Sequence, residues 1–226
     1  MTAINLCFRG SQVFIACDTA VSISGKGFVG HKSKCFTIPH ARAAIACSGP
    51  VTASAFWMFE ALSAYDIIDV DDLVRIAPDL LREGWEHTAK LVPHVAFLAG
   101  ITRDDQAKAY MLGSPEDFRP IHLSPGIYTF PLLADIKAAV TAEKSEGTPA
   151  VPKEPVRQER IPWHAMVQAC VSFLDEQAWQ HPDSVGGHAD CTLIQPESIY
   201  QHRMRAIRPV PVASVSLDVP SVSLAV

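Results

Sequence analysis

Residues 13–22 read Val-Phe-Ile-Ala-Cys-Asp-Thr-Ala-Val-Ser. Val13 to Cys17 are apolar without interruption, and the first charge is Asp18. A short run with no polar alternation predicts a strand buried on both faces, in the middle of stacked layers. Upstream, residues 2–8 predict a second strand, with Ile4, Leu6 and Phe8 on one face, and Arg9–Gln12 supplies the hairpin turn. Downstream, residues 19–30 carry Ser22, Ser24, Gly25, Gly27 and Gly30 and suggest a loop or a weak hairpin. Lys34–Ile38 is a short strand. Ala41–Cys47 is another, made of small residues that let a neighbour pack closely. Ser48-Gly49-Pro50 breaks it, and proline suits the first turn of a helix.

Helical spacing then recurs over 51–64 (Ala55, Phe59, Leu62) and from Asp71 to about Lys90 (Ile76, Leu80, Leu81, Trp85), with Pro78 expected to kink or restart the second helix. Strands follow at 95–101 and 107–112, a short helix at 131–140, and a helix at 162–179 with Met166, Cys170 and Phe173 on one face. Closing strands are expected at 191–194 and 199–207. Residues 141–160, rich in Glu, Lys and Pro, read as an exposed insertion. Residues 208–226, with three prolines and no aromatic residue, read as a flexible or strapped tail. Strand block, helix pair, strand pair, helix pair, strand pair is not the alternation of a doubly wound sheet. It predicts an α+β fold with two sheets face to face and helices outside, a four-layer αββα sandwich, in one domain over 1–207.

Composition narrows the function. The 226 residues carry a net charge of −5, which leaves no electrostatic footprint for nucleic acid or an anionic membrane. No apolar run reaches the roughly 18–20 residues of a bilayer span. The first residues lack the pattern of a signal peptide, so a cytoplasmic location is expected. Cys7, Cys17, Cys35, Cys47, Cys170 and Cys191 form no CxxC pair and read as small core hydrophobes. His181, Asp183, His188 and Asp190 match no standard zinc spacing; a solvated loop before a strand is the plainer reading. No Gly-rich loop runs from strand to helix, so neither a nucleotide nor any other cofactor or metal is expected.

Four positions bear on chemistry together. Thr2 opens the first strand; Asp18 follows sixteen residues later, Lys34 sixteen after that, and Ser48-Gly49 fourteen further on. In this spacing the chain resembles the Ntn-hydrolase superfamily, specifically proteasome β-subunits and the bacterial HslV peptidase. "VFIACDTAVS", "AAIACSGPVTASA", "HVAFLAGITRDDQAKAYML" and "SVGGHADCTLI" resemble segments of those proteins, covering somewhat under half the chain. Two departures stand out. The family's Gly-Ser-Gly motif before its third helix is replaced by Tyr128-Thr129-Phe130-Pro131, and the acid before Gly186-Gly187 lies about one residue too close.

The resemblance implies a mature chain beginning at Thr2 after removal of the initiator Met. Thr2 would then be the nucleophile, its own α-amine the base, Asp18 and Lys34 the supporting ion pair, and the Ser48 and Gly49 amides the oxyanion donors. Lys34→Ala and Thr2→Ala are each expected to abolish turnover without unfolding the protein. Val21, Lys32, Ala46 and Pro50 would line the substrate pocket, Lys32 favouring acidic side chains. The implied activity is a threonine peptidase acting on peptides or unfolded proteins, in a homo-oligomeric ring with an ATPase unfoldase as a further partner. Two alternatives stay open: a non-catalytic subunit of the same fold, and an Ntn amidohydrolase for a small amide.

Overall fold

The computed structural model describes residues 2–23, 27–49, 60, 66–87, 94–131 and 161–207. Strands β1 (Ile4–Arg9) and β2 (Gln12–Asp18) form a tight hairpin in the register Ile4↔Cys17 to Arg9↔Gln12. Gly10 takes φ +59 at its turn, a left-handed conformation that suits glycine. β2 is the central strand of a five-stranded antiparallel sheet. β1 flanks it on one side, and on the other lie β11 (His188–Gln195) and then β12 (Ser198–Ala206). β10 (Gly126–Phe130) completes this sheet beside β1. Its position explains why Val13–Cys17 carries no polar residue: both faces of β2 are covered.

The second five-stranded sheet runs β5 (Cys35–Ile38), β6 (Ala43–Ser48), β7 (Val95–Ile101), β8 (Ala107–Gly113), β9 (Ile121–His122). Its small residues do allow close approach. A Cβ on Gly100 would stand 2.7 Å from the Arg42 carbonyl oxygen, where the Ile101 amide bonds to that same carbonyl at 2.9 Å. A third, two-stranded sheet pairs β3 (Ala20–Ile23) with β4 (Gly27–His31).

The expected four-layer αββα sandwich is corrected by these elements. The described residues are mostly antiparallel strand, in three sheets, with two α-helices: α1 (Val70–Glu86) and α2 (Trp163–Gln180). The physical reason lies in short hairpins. Residues 20–31 and 121–130, which carry no strong periodicity, close antiparallel pairs against neighbours already in place. Of the helix expected at 51–64 only Glu60 is described, and it is helical; the helix expected at 131–140 beyond Pro131, the 141–160 insertion and the 208–226 tail lie outside the described residues.

The apolar residues divide into three clusters. Ile4, Leu6, Phe8, Ile15 and Cys17 of the first large sheet meet Ala44, Ala46, Phe97 and Ile101 of the second. A second cluster joins Val70, Leu73, Ala77, Leu80 and Leu81 of α1 to Ile45, Leu98 and Leu112 of the second sheet. A third joins Met166, Cys170, Leu174 and Ala178 of α2 to Cys7, Ala16 and Cys191 of the first. α1 is one continuous helix through Pro78, so the expected restart does not occur. Its start is fixed by Asp69, which accepts the Asp71 and Asp72 amides at 3.0 Å each. All six cysteines are buried and none forms a disulfide, as their reading as core residues expects. His94, just before β7, is wholly buried against Trp85 and Phe118 with neither ring nitrogen hydrogen-bonded; burial lowers its pKa to about 4.

Candidate active site

One end of the two large sheets is polar inside. Lys34, the residue before β5, donates from Nζ to both carboxylate oxygens of Asp18 at 2.9 Å each. Asp18 ends β2 and receives two backbone amides as well: Ala3 to Oδ1 at 2.8 Å and Gly186 to Oδ2 at 3.2 Å. Its own amide donates to the Ala3 carbonyl at 3.2 Å. The carboxylate therefore clasps the residue next to Thr2. The Cys47 amide donates to the Lys34 carbonyl at 2.9 Å, which sets Ser48-Gly49 beside the lysine's backbone. Gly49 has φ +117, a backbone that side chains rarely adopt. Thr2, Asp18, Lys34 and Ser48 are all buried.

Burial raises the Asp18 carboxyl above the ordinary range, and the Lys34 ammonium and the two amides offset this only in part. Every contact to Asp18 comes from a donor, the pattern a carboxylate rather than a carboxylic acid satisfies. Cys17 and Cys35, the neighbours of this pair in sequence, hydrogen-bond to each other. That bond and burial raise the Cys17 thiol, while the same bond lowers the Cys35 thiol.

Beside the pair stands an arrangement that the sequence reading missed. Thr19 Oγ1 accepts the His188 amide at 2.9 Å and lies 3.3 Å from His31 Nδ1. The His31 and His188 rings meet edge-on at 5.3 Å. The Gly186 carbonyl accepts the Thr19 and Ala20 amides at 3.3 and 3.1 Å, so the Gly-Gly segment is stitched to the strand after Asp18. Gly187 has φ +82, and a Cβ there would stand 2.6 Å from both His31 Nδ1 and Thr19 Oγ1. The Gly-Gly pair was visible in the sequence; that one glycine holds Asp18 and the other makes room for Thr19 and His31 was not.

The expected pocket residues are dispersed. Val21 on β3 faces Gly30 in the hairpin register, and Lys32 is exposed, its amide bonded to the Thr19 carbonyl at 2.8 Å. Ala46 is fully buried in the core between the large sheets, and Pro50 lies outside the described residues. The solvated-loop reading of residues 181–190 fails at Asp190. It is a buried strand residue whose carboxylate accepts Arg203 Nε at 2.8 Å and Nη2 at 3.2 Å. Among the described residues no group of three or more His, Cys, Asp or Glu is arranged to hold a metal. No described helix is long and apolar enough to cross a membrane.

Comparison with known proteins places the fold. No protein-family model and no curated protein matches the chain. Solved structures do. The Anbu (ancestral beta-subunit) of Yersinia bercovieri matches with TM-score 0.63 at 12% identity, over 89% of this chain and 87% of that one. A structure described as the helical assembly of the Anbu complex from Pseudomonas aeruginosa matches with TM-score 0.65 at 12% identity, over 90% and 86%. An Anbu (Gly-1) mutant from Hyphomicrobium sp. strain MC1 matches with TM-score 0.62 at 14% identity, over 93% and 88%. The resemblance drawn to proteasome β-subunits and HslV is thereby corrected: these neighbours are Anbu proteins, proteasome-like but a distinct family. At such identities the likeness concerns the fold alone.

Proposed function

We propose that this chain is an N-terminal threonine hydrolase that cleaves peptide-type amide bonds. The observation that carries the reading is the buried Asp18–Lys34 pair with the Ala3 amide on the same carboxylate, because it fixes a cation and an anion against the residue next to Thr2. A polar cluster of this kind is costly to bury and gains nothing for packing.

The mechanism requires processing that leaves Thr2 first. Its free α-amine, with an unperturbed pKa of roughly 7.7–8.0, then takes the proton from Oγ1 as Oγ1 attacks the substrate carbonyl carbon. The Lys34 ammonium keeps the neighbouring amine neutral by charge repulsion and favours the developing alkoxide. The tetrahedral oxyanion lies against the Gly49 amide, since the strand register turns the Ser48 amide towards Val95 of β7. Collapse expels the leaving amine, which takes the proton from the α-ammonium, and leaves an ester on Thr2. Water, deprotonated by the same α-amine, hydrolyses that ester to the free acid and restores Oγ1–H. Asp18 holds Lys34 and is a positioning residue.

Two observations favour a second reading, a fold that has lost catalysis. Thr2 is only 6% exposed, and the Thr129 hydroxyl, in the segment that replaces Gly-Ser-Gly, is buried without a partner. Peptide and small-amide substrate panels with the wild type and Thr2→Ala separate the readings: turnover lost in Thr2→Ala supports the hydrolase and shows which amide class it takes, and no turnover of either class by the wild type supports the second. The proposed assembly is a homo-oligomer, tested by particle size, since a species at the monomer's 24.6 kDa contradicts it.

A further inference from the structure

We propose that the free edge of β12 receives the 208–226 tail of a second copy as an added strand. This inference does not depend on Thr2 being a nucleophile. β12 is nine residues long, ends the sheet order and is paired only with β11 among the described residues. Residues 200–206 are all exposed, including Tyr200 at 60% and Met204 at 42%. A long strand with unpaired N–H and C=O groups and apolar side chains in water is a template for another strand unless something covers it.

The tail has the pattern of such a strand. Ser214-Val215-Ser216-Leu217-Asp218-Val219 and Ser221-Val222-Ser223-Leu224-Ala225-Val226 are near copies of each other on either side of Pro220. In each, three apolar side chains alternate with small or polar ones, the signature of a half-buried strand. A six-residue strand spans about 20 Å, within the roughly 30 Å of a nine-residue edge. Arg203 and Arg205 of β12 are already paired with Asp190 and Asp175, so the recognition rests on backbone pairing and the apolar alternation.

The linker decides which copy. β12 ends at Ala206, and the Ile207 amide still bonds to the Gly187 carbonyl at 2.9 Å. Arg208-Pro209-Val210-Pro211 follows. Each proline fixes its own φ and pushes the residue before it out of the helical region, so all four positions favour extended backbone. A tight return within these four positions would put Val210, the residue before Pro211, into a turn conformation it disfavours, so the tail is assigned to the edge of a neighbour; a return through Pro211-Val212-Ala213 onto the chain's own β12 is the alternative that links within a single chain would reveal.

The experiment co-expresses two differently tagged full-length chains, one carrying a photoreactive benzoylphenylalanine in place of Leu217. Irradiation should join the two tags and map the link to peptides within residues 198–206 of the other chain. Amide exchange over 199–205 should be slow in the wild type and at least tenfold faster in a chain ending at Arg208, with unchanged near-UV circular dichroism as the folding control. Links confined to a single chain, links to a different surface, or exchange over 199–205 that the truncation leaves unchanged would each overturn the proposal.

Discussion

Replacing Lys34 by Met removes the cation and keeps most of the side chain's volume. Lys34 and Asp18 are 5% and 0% exposed, and the ammonium contacts both carboxylate oxygens. Breaking a buried pair by removing one partner costs about 3–5 kcal/mol, because the other charge stays buried without compensation. Here the Ala3 and Gly186 amides still reach Asp18, so the lower part of that range, about 3 kcal/mol, is expected. Lys34→Ala, expected from the sequence alone to abolish turnover without unfolding the protein, therefore needs a stability control before a loss of turnover is read as catalytic. The assay is urea unfolding of the wild type, Lys34→Met, Asp18→Asn and the double variant. The double variant should recover about 1–3 kcal/mol of the summed losses. pH gives a second check. With the cation gone, the folded-state pKa of Asp18 lies further above its unfolded value, so the folded state binds the proton more tightly. Stability of Lys34→Met should then rise as pH falls towards the carboxyl range, relative to the wild type. A loss below 1 kcal/mol at neutral pH, or strict additivity, refutes a functional ion pair buried at this position.

Other consequences are as specific. His94 has a folded-state pKa of about 4 against 6.5 in the unfolded chain, so the folded state resists protonation. Its stabilisation is present above pH 6.5 and lost as pH falls towards 4, about 3 kcal/mol in all at about 1.4 kcal/mol per pKa unit; His94→Phe should flatten that acid limb in melts from pH 7 to 4. Gly187→Ala forces a Cβ to 2.6 Å from two atoms at φ +82 and should lower stability by about 2 kcal/mol in urea titrations, where a change under 0.5 kcal/mol contradicts the geometry. Asp69→Ala leaves the Asp71 and Asp72 amides uncapped and should cost about 1 kcal/mol, with its thermal midpoint falling by a few degrees.

The central strands were legible because burial on both faces writes itself into composition: Val13–Cys17 and Val95–Ile101 leave no other reading. The helix 163–180 was legible through its 3.6-residue stripe. β10 escaped because Gly126–Phe130 has neither alternation nor a long apolar run, and only pairing with β1 makes it a strand. β3 and β4 were half legible: residues 19–30 suggested a loop or a weak hairpin, and the hairpin that forms is held by backbone bonds from Thr19 to Lys32 and Gly186. At the site, Asp18 and Lys34 could be chosen by spacing, since both sit at strand ends. The Gly186 amide on Asp18 arrives from 168 residues away, and the Thr19, His31 and His188 contacts cross three elements; no local pattern encodes such meetings. Ala46 is a different case: it lies on a strand packed between two sheets, where adjacency to Ser48 in sequence does not open a side chain to solvent.

The most direct measurement is peptide mapping of the purified protein after reaction with an electrophile that labels N-terminal threonine. Chains should begin at Thr2 and carry one adduct on that residue, absent from Thr2→Ala. Chains that retain a residue before Thr2, that are acetylated there, or that take the label elsewhere contradict it.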